Sequence, residues 1–314
     1  MNHFLGDSVT TIGKSKFLVL GCGEGWHAGQ LKAAADRAKS EISFADYESL
    51  SAQIGELGSR QYRCSAGPLR QFDAILARTM PAGSLEQITF RLAILHACYE
   101  QGQCILNPPR SLEIAIDKFA TLDRVAALGY PVPETMVSQS RIGAMNAFDS
   151  LGGDCIVKPI FGGEGRGVMR IKDRQLAWYT FATLERLSAV FYVQKFVAPG
   201  GADTRLLVVG DEVFAVRRQS DSDFRTNVST GANVHRINVS EQQRAMALDI
   251  CSNIGLHFAS VDVLDSDDGQ GRVLEVNAIP GWKGAQGVLD ACIADQIVAT
   301  LARLSNTAGH GVSK

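Results

Sequence analysis

Residues 155–171 read CIVKPIFGGEGRGVMRI: a short apolar run ending at Lys158, then Gly162, Gly163, Gly165 and Gly167, then a second apolar run. A phosphate loop of the GxxxxGK[ST] kind places its lysine after the glycines and lies between a strand and a helix. Here the lysine comes first and strand-like residues stand on both sides, so the stretch predicts a β-hairpin with a bare tip. Such a tip can lie over a polyphosphate with its N–H groups exposed, while a lysine on the strand supplies positive charge. The same residues also suit an irregular surface hairpin with a solvated lysine. The stretch alone does not separate the two.

A second hairpin is written into residues 260–281, SVDVLDSDDGQGRVLEVNAIPG. Asp268-Gly269 has the composition of a two-residue turn, and counting outward from it sets Asp262 opposite Glu275. The two-residue period puts Glu275 and Asn277 on one face of their strand, with Leu274 and Val276 on the other, buried face. Carboxylates facing each other across a sheet repel unless a cation lies between them. Two carboxylates and an amide oxygen are hard ligands suited to Mg²⁺. A solvated acidic face is the alternative. An EF-hand fails, because the twelfth position counted from Asp265 is Val276.

Between these hairpins, EVFAVRRQSDSDFRTNVSTGA ends a strand in Arg217 and Arg218 and continues into a polar loop with Arg225 and Asn227. Arginine suits sites where a carboxylate or phosphate is gripped in fixed geometry. A strand ending in two arginines is equally the description of a solvated edge. Asp203 and Arg205 open the preceding strand.

The rest of the chain supplies the frame. Residues 16–107 alternate apolar runs (KFLVLG, DAILAR, CILN) with a helical pattern in SLEQITFRLAILHACYEQG, which is α/β. GCGEGW after the first strand invites a nicotinamide-binding reading, but the third glycine of GxGxxG falls on Trp26. Phe119, Leu122, Val125 and Leu128 form one helical face that Gly129 terminates. From residue 154 strands dominate. They are interrupted by a helix with a Ser240/Gln243 capping box and closed by one in VLDACIADQIVATLARL, with SNTAGHGVSK as a frayed tail.

At 314 residues and 46% hydrophobic content, the chain can build two or three domains. Its net charge of −2, with mixed signs, gives no footprint for nucleic acid. Seven scattered cysteines without a CxxC pair fit neither a disulfide framework nor a zinc site, and no segment matches a signal peptide or membrane span, so a cytoplasmic protein is expected.

With these segments in order, the chain resembles the ATP-grasp superfamily, and within it the RimK-like glutamate ligases. The resemblance covers about residues 107–304 and rests on PPRSLEIAIDKFAT, GYPVPET, VKPIFGGEGRGV, VQKFV, ADTRLLVVGDEVFAVRR, DFRTNVSTGA, VDVL and LEVNAIPG. It implies an α/β N-terminal (pre-ATP-grasp) domain over 1–107 followed by an α+β ATP-grasp fold of two subdomains: a central one with the glycine flap at 108–190 and a C-terminal one with the metal site at 191–305, then a tail at 306–314. It further implies that Lys118 and Lys158 contact nucleotide phosphates under a cover of Gly162, Gly163, Gly165 and Gly167. Lys195, Phe196 and Val197 would meet adenine, Asp203 the ribose, and Arg225 and Asn227 the phosphates. Asp262, Glu275 and Asn277 would hold Mg²⁺ (or Mn²⁺), with Arg205 and Arg217 as catalytic cations. Lys195 departs from the glutamate usual in the family.

The implied activity is ATP-dependent carboxylate–amine ligation through an acyl phosphate. The implied partners are an acidic small molecule and an amino acid, with glutamate added to a tetrahydromethanopterin- or methanofuran-type cofactor or to a peptide, by a homodimer or homotetramer. The alternatives are a non-catalytic ATP-binding sensor or subunit, and a nicotinamide-dependent oxidoreductase.

Overall fold

Strands buried on both faces open the structure. The computed structural model describes residues 14–227, 231–267 and 269–309. The first part runs β1 (Lys16–Leu20), α1 (Gly25–Arg37), β2 (Glu41–Ala45), β3 (Ser51–Ile54), β4 (Arg60–Cys64), β5 (Gly67–Pro68), β6 (Ala74–Ala77), α2 (Leu85–Glu100) and β7 (Cys104–Leu106). β2-β1-β6-β7 form a parallel sheet, and β3-β4-β5 a small antiparallel one. KFLVL and AILA carry no polar alternation because a parallel sheet is covered on both sides; every residue from Phe17 to Leu20 and from Ala74 to Ala77 is buried.

The chain continues through α3 (Pro109–Ile116) and α4 (Lys118–Ala127). Asp117 separates them and caps α4, accepting from the Phe119 and Ala120 amides at 2.8 and 3.1 Å. Leu122 and Val125 are buried as expected. Phe119 is exposed instead, at the first turn beside the cap, and Thr121 takes a buried place.

β8 (Thr135–Ser138), α5 (Arg141–Ser150), β9 (Cys155–Lys158), β10 (Met169–Ile171), α6 (Arg174–Arg186) and β11 (Phe191–Lys195) form an antiparallel sheet in the order β10-β9-β11-β8 with two helices on it. Residues 155–171 are the expected hairpin. α6 escapes the sequence reading because its apolar residues point the wrong way: Leu176, Trp178 and Tyr179 are exposed, and only Ala177 and Phe181 are buried. An expected subdomain boundary at 190/191 falls just before β11, which pairs with β9 and β8.

The last part is β12 (Ala202–Val209), β13 (Glu212–Gln219), β14 (Asn233–Arg236), α7 (Glu241–Ile254), β15 (Phe258–Leu264), β16 (Arg272–Asn277), α8 (Lys283–Gln286) and α9 (Ile293–Gly309). Its antiparallel sheet has the order β14-β13-β12-β15-β16. α7 begins with the expected Ser240/Gln243 capping box. The expected tail from 306 is helical as far as Gly309, and the Ser305 and Thr307 hydroxyls bond back to the Ala302 and Leu304 carbonyls.

Asp262 pairs with Glu275 as the turn count predicts, but a bulge follows. Val263 pairs with Val273 and Leu264 with Arg272, so Leu274 is the extra residue. Leu274 therefore leaves the buried face, where the two-residue period put it, and lines a cleft, while Val273 and Val276 are buried. Asp268 of the expected turn lies outside the described residues.

Two cores span the first and last parts. One joins Phe17 and Val19 of β1, Leu31 of α1, Leu207 of β12, Ile297 of α9, and Trp282 just before α8; the other joins Leu18, Leu95, Leu112, Leu206 and Ile250. The central sheet has a separate core of Phe148, Val157, Phe181, Phe191 and Val193. All seven cysteines are free, and among the described residues no helix is long and apolar enough to cross a membrane. Phe181 is fully buried and meets Phe191 edge-on at 5.8 Å. Phe181→Ala is expected to lower stability by about 3–5 kcal/mol in chemical denaturation; a loss under about 1 kcal/mol would show that this core is not packed as described.

Candidate active site between the central and C-terminal sheets

The bare hairpin tip, the end of β11 and the face of β12, β13, β15 and β16 enclose one cleft. Cross-strand register decides which side chains face it. Asp203 pairs with Arg218, Arg205 with Asp262, and Asp262 with Glu275, so these five share a face. Arg218 donates through Nε to Asp203 Oδ1 at 2.7 Å, and through Nη2 both to Asp203 and to Asp262 Oδ2, the latter at 2.8 Å. Arg205 grips Asp262 from the other side, Nε to Oδ1 at 2.8 Å and Nη2 to Oδ2 at 2.7 Å. Thr226 donates to Asp203 Oδ2 at 2.6 Å. Burial would push Asp262 upward, but the two guanidiniums outweigh it and hold the carboxyl well below the usual range.

Glu275 stands outside this network. Among the described residues it makes no hydrogen bond or ion pair, yet it lines the cleft within electrostatic reach of Lys118 and Lys158. Lys158 is buried, donates to Gln194 Oε1 at 3.0 Å and lies 5.0 Å from the Tyr192 ring centroid. Burial lowers its pKa to about 8, against the pull of Glu275. Lys118 opens α4 and donates to the carbonyls of Ile160 and Gly162, fastening the root of the glycine tip.

The glycines use the freedom that their residue type gives. Gly162, Gly165 and Gly167 have φ of +119°, +71° and +72°. At Gly165 a side chain would also collide, since a Cβ there would lie 2.5 Å from Asn227 Oδ1. The tip thus rests against the 225–227 loop, where Arg225 is oriented by Asp223 at 2.9 and 2.6 Å. At the end of β11, Lys195, Phe196 and Val197 line the cleft, and the Lys195 ammonium lies 3.7 Å from Glu134.

Of the three expected metal ligands, Asp262 and Glu275 line the cleft and Asn277 is not among its lining residues. Asp262 Oδ1 accepts one hydrogen bond and keeps a lone pair, and Glu275 opposite is unpaired. Asn277 lies two residues along on the Glu275 side, its Oδ1 accepting from the Ile279 amide at 2.9 Å. It faces Ser260, whose buried hydroxyl has no partner among the described residues.

Two arginines trade places relative to expectation. Arg217 pairs with Thr204 across the sheet, on the face opposite Asp262, and forms an ion pair with Asp265. The expected catalytic position for Arg217 is corrected by strand parity: Arg218 is the arginine in the cleft. Gln194, Thr226 and Leu274 also line it and carry no local sequence signal.

The RimK-like ATP-grasp domain matches residues 115–301. The chain belongs to the RimK-like ATP-grasp family. Over 245 residues it is 30% identical to the tetrahydromethanopterin:alpha-L-glutamate ligase of Methanosarcina acetivorans, covering 69% of this chain and 75% of that protein. Over 243 residues it is 33% identical to a probable alpha-L-glutamate ligase of Sodalis glossinidius, covering 76% and 80%. Among solved structures, the ATP-grasp ligase PsnB, complexed with a phosphomimetic variant of its minimal precursor, Mg and ADP, shares the fold with a TM-score of 0.71 at 21% identity, over 93% of this chain and 99% of that one. As a RimK-like ATP-grasp protein, the chain is an ATP-dependent carboxylate–amine ligase, and ATP with Mg²⁺ is the cofactor pair of that chemistry.

Removing one partner from a buried ion pair strands the other charge, at about 3–5 kcal/mol, whereas a partly exposed pair is worth about 0–1 kcal/mol. Arg218→Met is therefore expected to destabilise strongly and Arg217→Met barely, read by urea denaturation of both variants. Equal losses would refute the assignment of faces.

Proposed function

We propose that the cleft binds Mg·ATP and that the protein joins the amino group of glutamate to the carboxylate of a small acidic cofactor of the pterin type. The observation that carries the nucleotide site is Glu275, an unpaired carboxylate facing Asp262 and flanked by two lysines. The names of the two relatives support glutamate as the amine, and the methanogen enzyme's name supports a pterin acceptor over a peptide.

Asp262, Glu275 and Asn277 would hold the Mg²⁺, which when bound offsets charge on the transferring phosphoryl group. Lys118, Lys158 and Arg225 bind the phosphates, and the tip from Gly162 to Gly167 excludes water. Asn227 seats the tip against its own loop. Lys195 to Val197 receive adenine through backbone groups. Because the Lys195 side chain points toward Glu134, the exchange of glutamate for lysine at this position is compatible with ATP. Asp203 lines the cleft but its carboxylate is committed to Arg218 and Thr226, so it acts on the ribose side through position. Arg205 and Arg218 hold Asp262 ionised and oriented.

In the reaction the acceptor carboxylate oxygen bonds to the γ-phosphorus as the bond to the bridging oxygen of ADP breaks. The neutral amine of glutamate then adds to the acyl carbon, the C–O bond to phosphate breaks, and a proton leaves the nitrogen. No enzyme nucleophile is needed.

An ADP-release screen with L-glutamate and carboxylate cofactors, followed by product mass spectrometry, tests the reading. Glu275→Ala is expected to abolish turnover with an unchanged circular dichroism spectrum; retained turnover would defeat the metal assignment. Absence of acceptor-dependent ADP release across the panel would favour a sensor.

Lys158 gives a second readout. Its folded pKa of about 8 lies below the 10.5 of an exposed lysine, so the unfolded chain binds more protons between those values. The stability of the nucleotide-free protein accordingly rises from pH 8 to 10.5. A triphosphate against Lys158 favours the charged form, so Mg·ATP binding near pH 8.5 is expected to take up a proton, which calorimetry in buffers of different ionisation enthalpy measures. Binding without proton uptake would remove Lys158 from the phosphate site.

A further inference from the structure

A second cavity of about 360 Å³ lies in the N-terminal part, at the carboxyl ends of β1 and β6. In open α/β sheets this is the end where ligands enter. Its wall contains Arg78, the residue after β6, and the turn from Gly21 into α1. Arg78 is partly buried. Among the described residues it has no carboxylate partner, unlike Arg91, Arg205 and Arg218, which pair with Glu48, Asp262 and Asp203. Among the described residues its guanidinium makes one hydrogen bond, from Nη1 to the Pro280 carbonyl at 3.2 Å. The guanidinium carbon lies 4.9 Å from the Trp282 ring centroid and 5.6 Å from that of Phe258. A guanidinium has five N–H donors, so most of its capacity is unused. Burial without a counter-ion lowers its pKa to about 10.

Three further features point the same way. The cap residue of α1, Glu24, makes no side-chain cap, and the first turn of this 13-residue helix carries no acid, so its leading amides remain available beside the cavity. His27 accepts from the Trp282 amide through Nε2 at 3.3 Å and is kept neutral by burial, which lowers its pKa to about 4. Three acids line the cavity, Glu24, Asp46 and Glu48, and of these Glu48 is taken by Arg91. Pro280 and Trp282, which contact Arg78 and His27, belong to the loop that follows Asn277 at the end of β16, so the cavity and the proposed metal site share one connection.

We infer that this cavity is a substrate site in which Arg78, with the amides opening α1, holds a carboxylate of one of the two molecules to be joined. The inference rests on the ligase reading and assigns it a place outside the nucleotide cleft. The carboxylate belongs either to the incoming glutamate, whose ammonium Asp46 in the cavity wall would face, or to the glutamyl-like end of the acceptor.

Tryptophan fluorescence tests it, because Trp282 packs against both Arg78 and His27 of the cavity wall, Trp26 packs against His27, and the third tryptophan, Trp178, is on α6. L-glutamate and N-acetyl-L-glutamate are titrated into the whole protein, with glutaramide as the uncharged control. A saturable change with either acid, absent with glutaramide, is expected; tighter L-glutamate identifies the amine substrate, tighter N-acetyl-L-glutamate the acceptor. Arg78→Lys keeps the charge but loses the fork, and is expected to weaken binding at least about tenfold. Should Arg78→Lys fold poorly, Thr79→Phe, at an exposed position on the cavity rim, is expected to weaken it similarly. No saturable change in the wild type, or wild-type affinity in the folded variants, overturns the site. Mg·ATP affinity measured in the same samples separates the two readings: carboxylate binding without nucleotide binding faults the ligase proposal, and the reverse faults this cavity alone.

Discussion

The C-terminal sheet is organised around three buried charges, Asp203, Arg218 and Asp262, and the partly buried Arg205, on the shared face of three adjacent strands. Buried ions are tolerated only when each is paired and hydrogen-bonded, and here each carboxylate has a bidentate arginine. The pairing fixes the register of β12, β13 and β15 as firmly as the apolar residues do, because a one-residue slip would place two carboxylates in a core. It also decides the chemistry beside it. Both arginines are hydrogen-bonded to Asp203 and Asp262, so Glu275 across the next ladder makes no hydrogen bond or ion pair among the described residues. A carboxylate in that position attracts cations from outside the sheet, and the lysines of α4 and β9 supply two.

The cleft exists because one core did not merge with the others. The residues of β8 to β11 pack on α5 and α6 among themselves, while the first and last parts share two cores. What lies between is lined by backbone-rich segments: the glycine tip, the end of β11 and the 225–227 loop. The collision that any side chain on Gly165 would suffer with Asn227 shows how closely those segments approach.

Much of this was legible in the residues, and the failures have physical causes. The opposition of Asp262 and Glu275 follows from a turn dipeptide and a two-residue period, both local. Leu274 was not legible, because a bulge is a property of two strands together. Arg217 and Arg218 differ only by strand parity, which the neighbouring strand sets. The helix α6 was hidden by apolar residues on its solvent side. Arg78 is a lone residue after a strand, and what makes it unusual, contacts with Pro280 and Trp282, lies two hundred residues away.

The final helix, α9, lies against α1 and the parallel sheet, with Ile293, Ile297 and Leu301 in the same core as Phe17 and Leu31. During synthesis the earliest strand therefore emerges without the surface that will shield one of its sides. That side lacks its cover until α9 has been made, whereas the middle unit, self-sufficient in apolar contacts, is free to settle first. The order in which the parts mature thus departs from their order in the sequence: β1 is completed by α9, far along the chain from it.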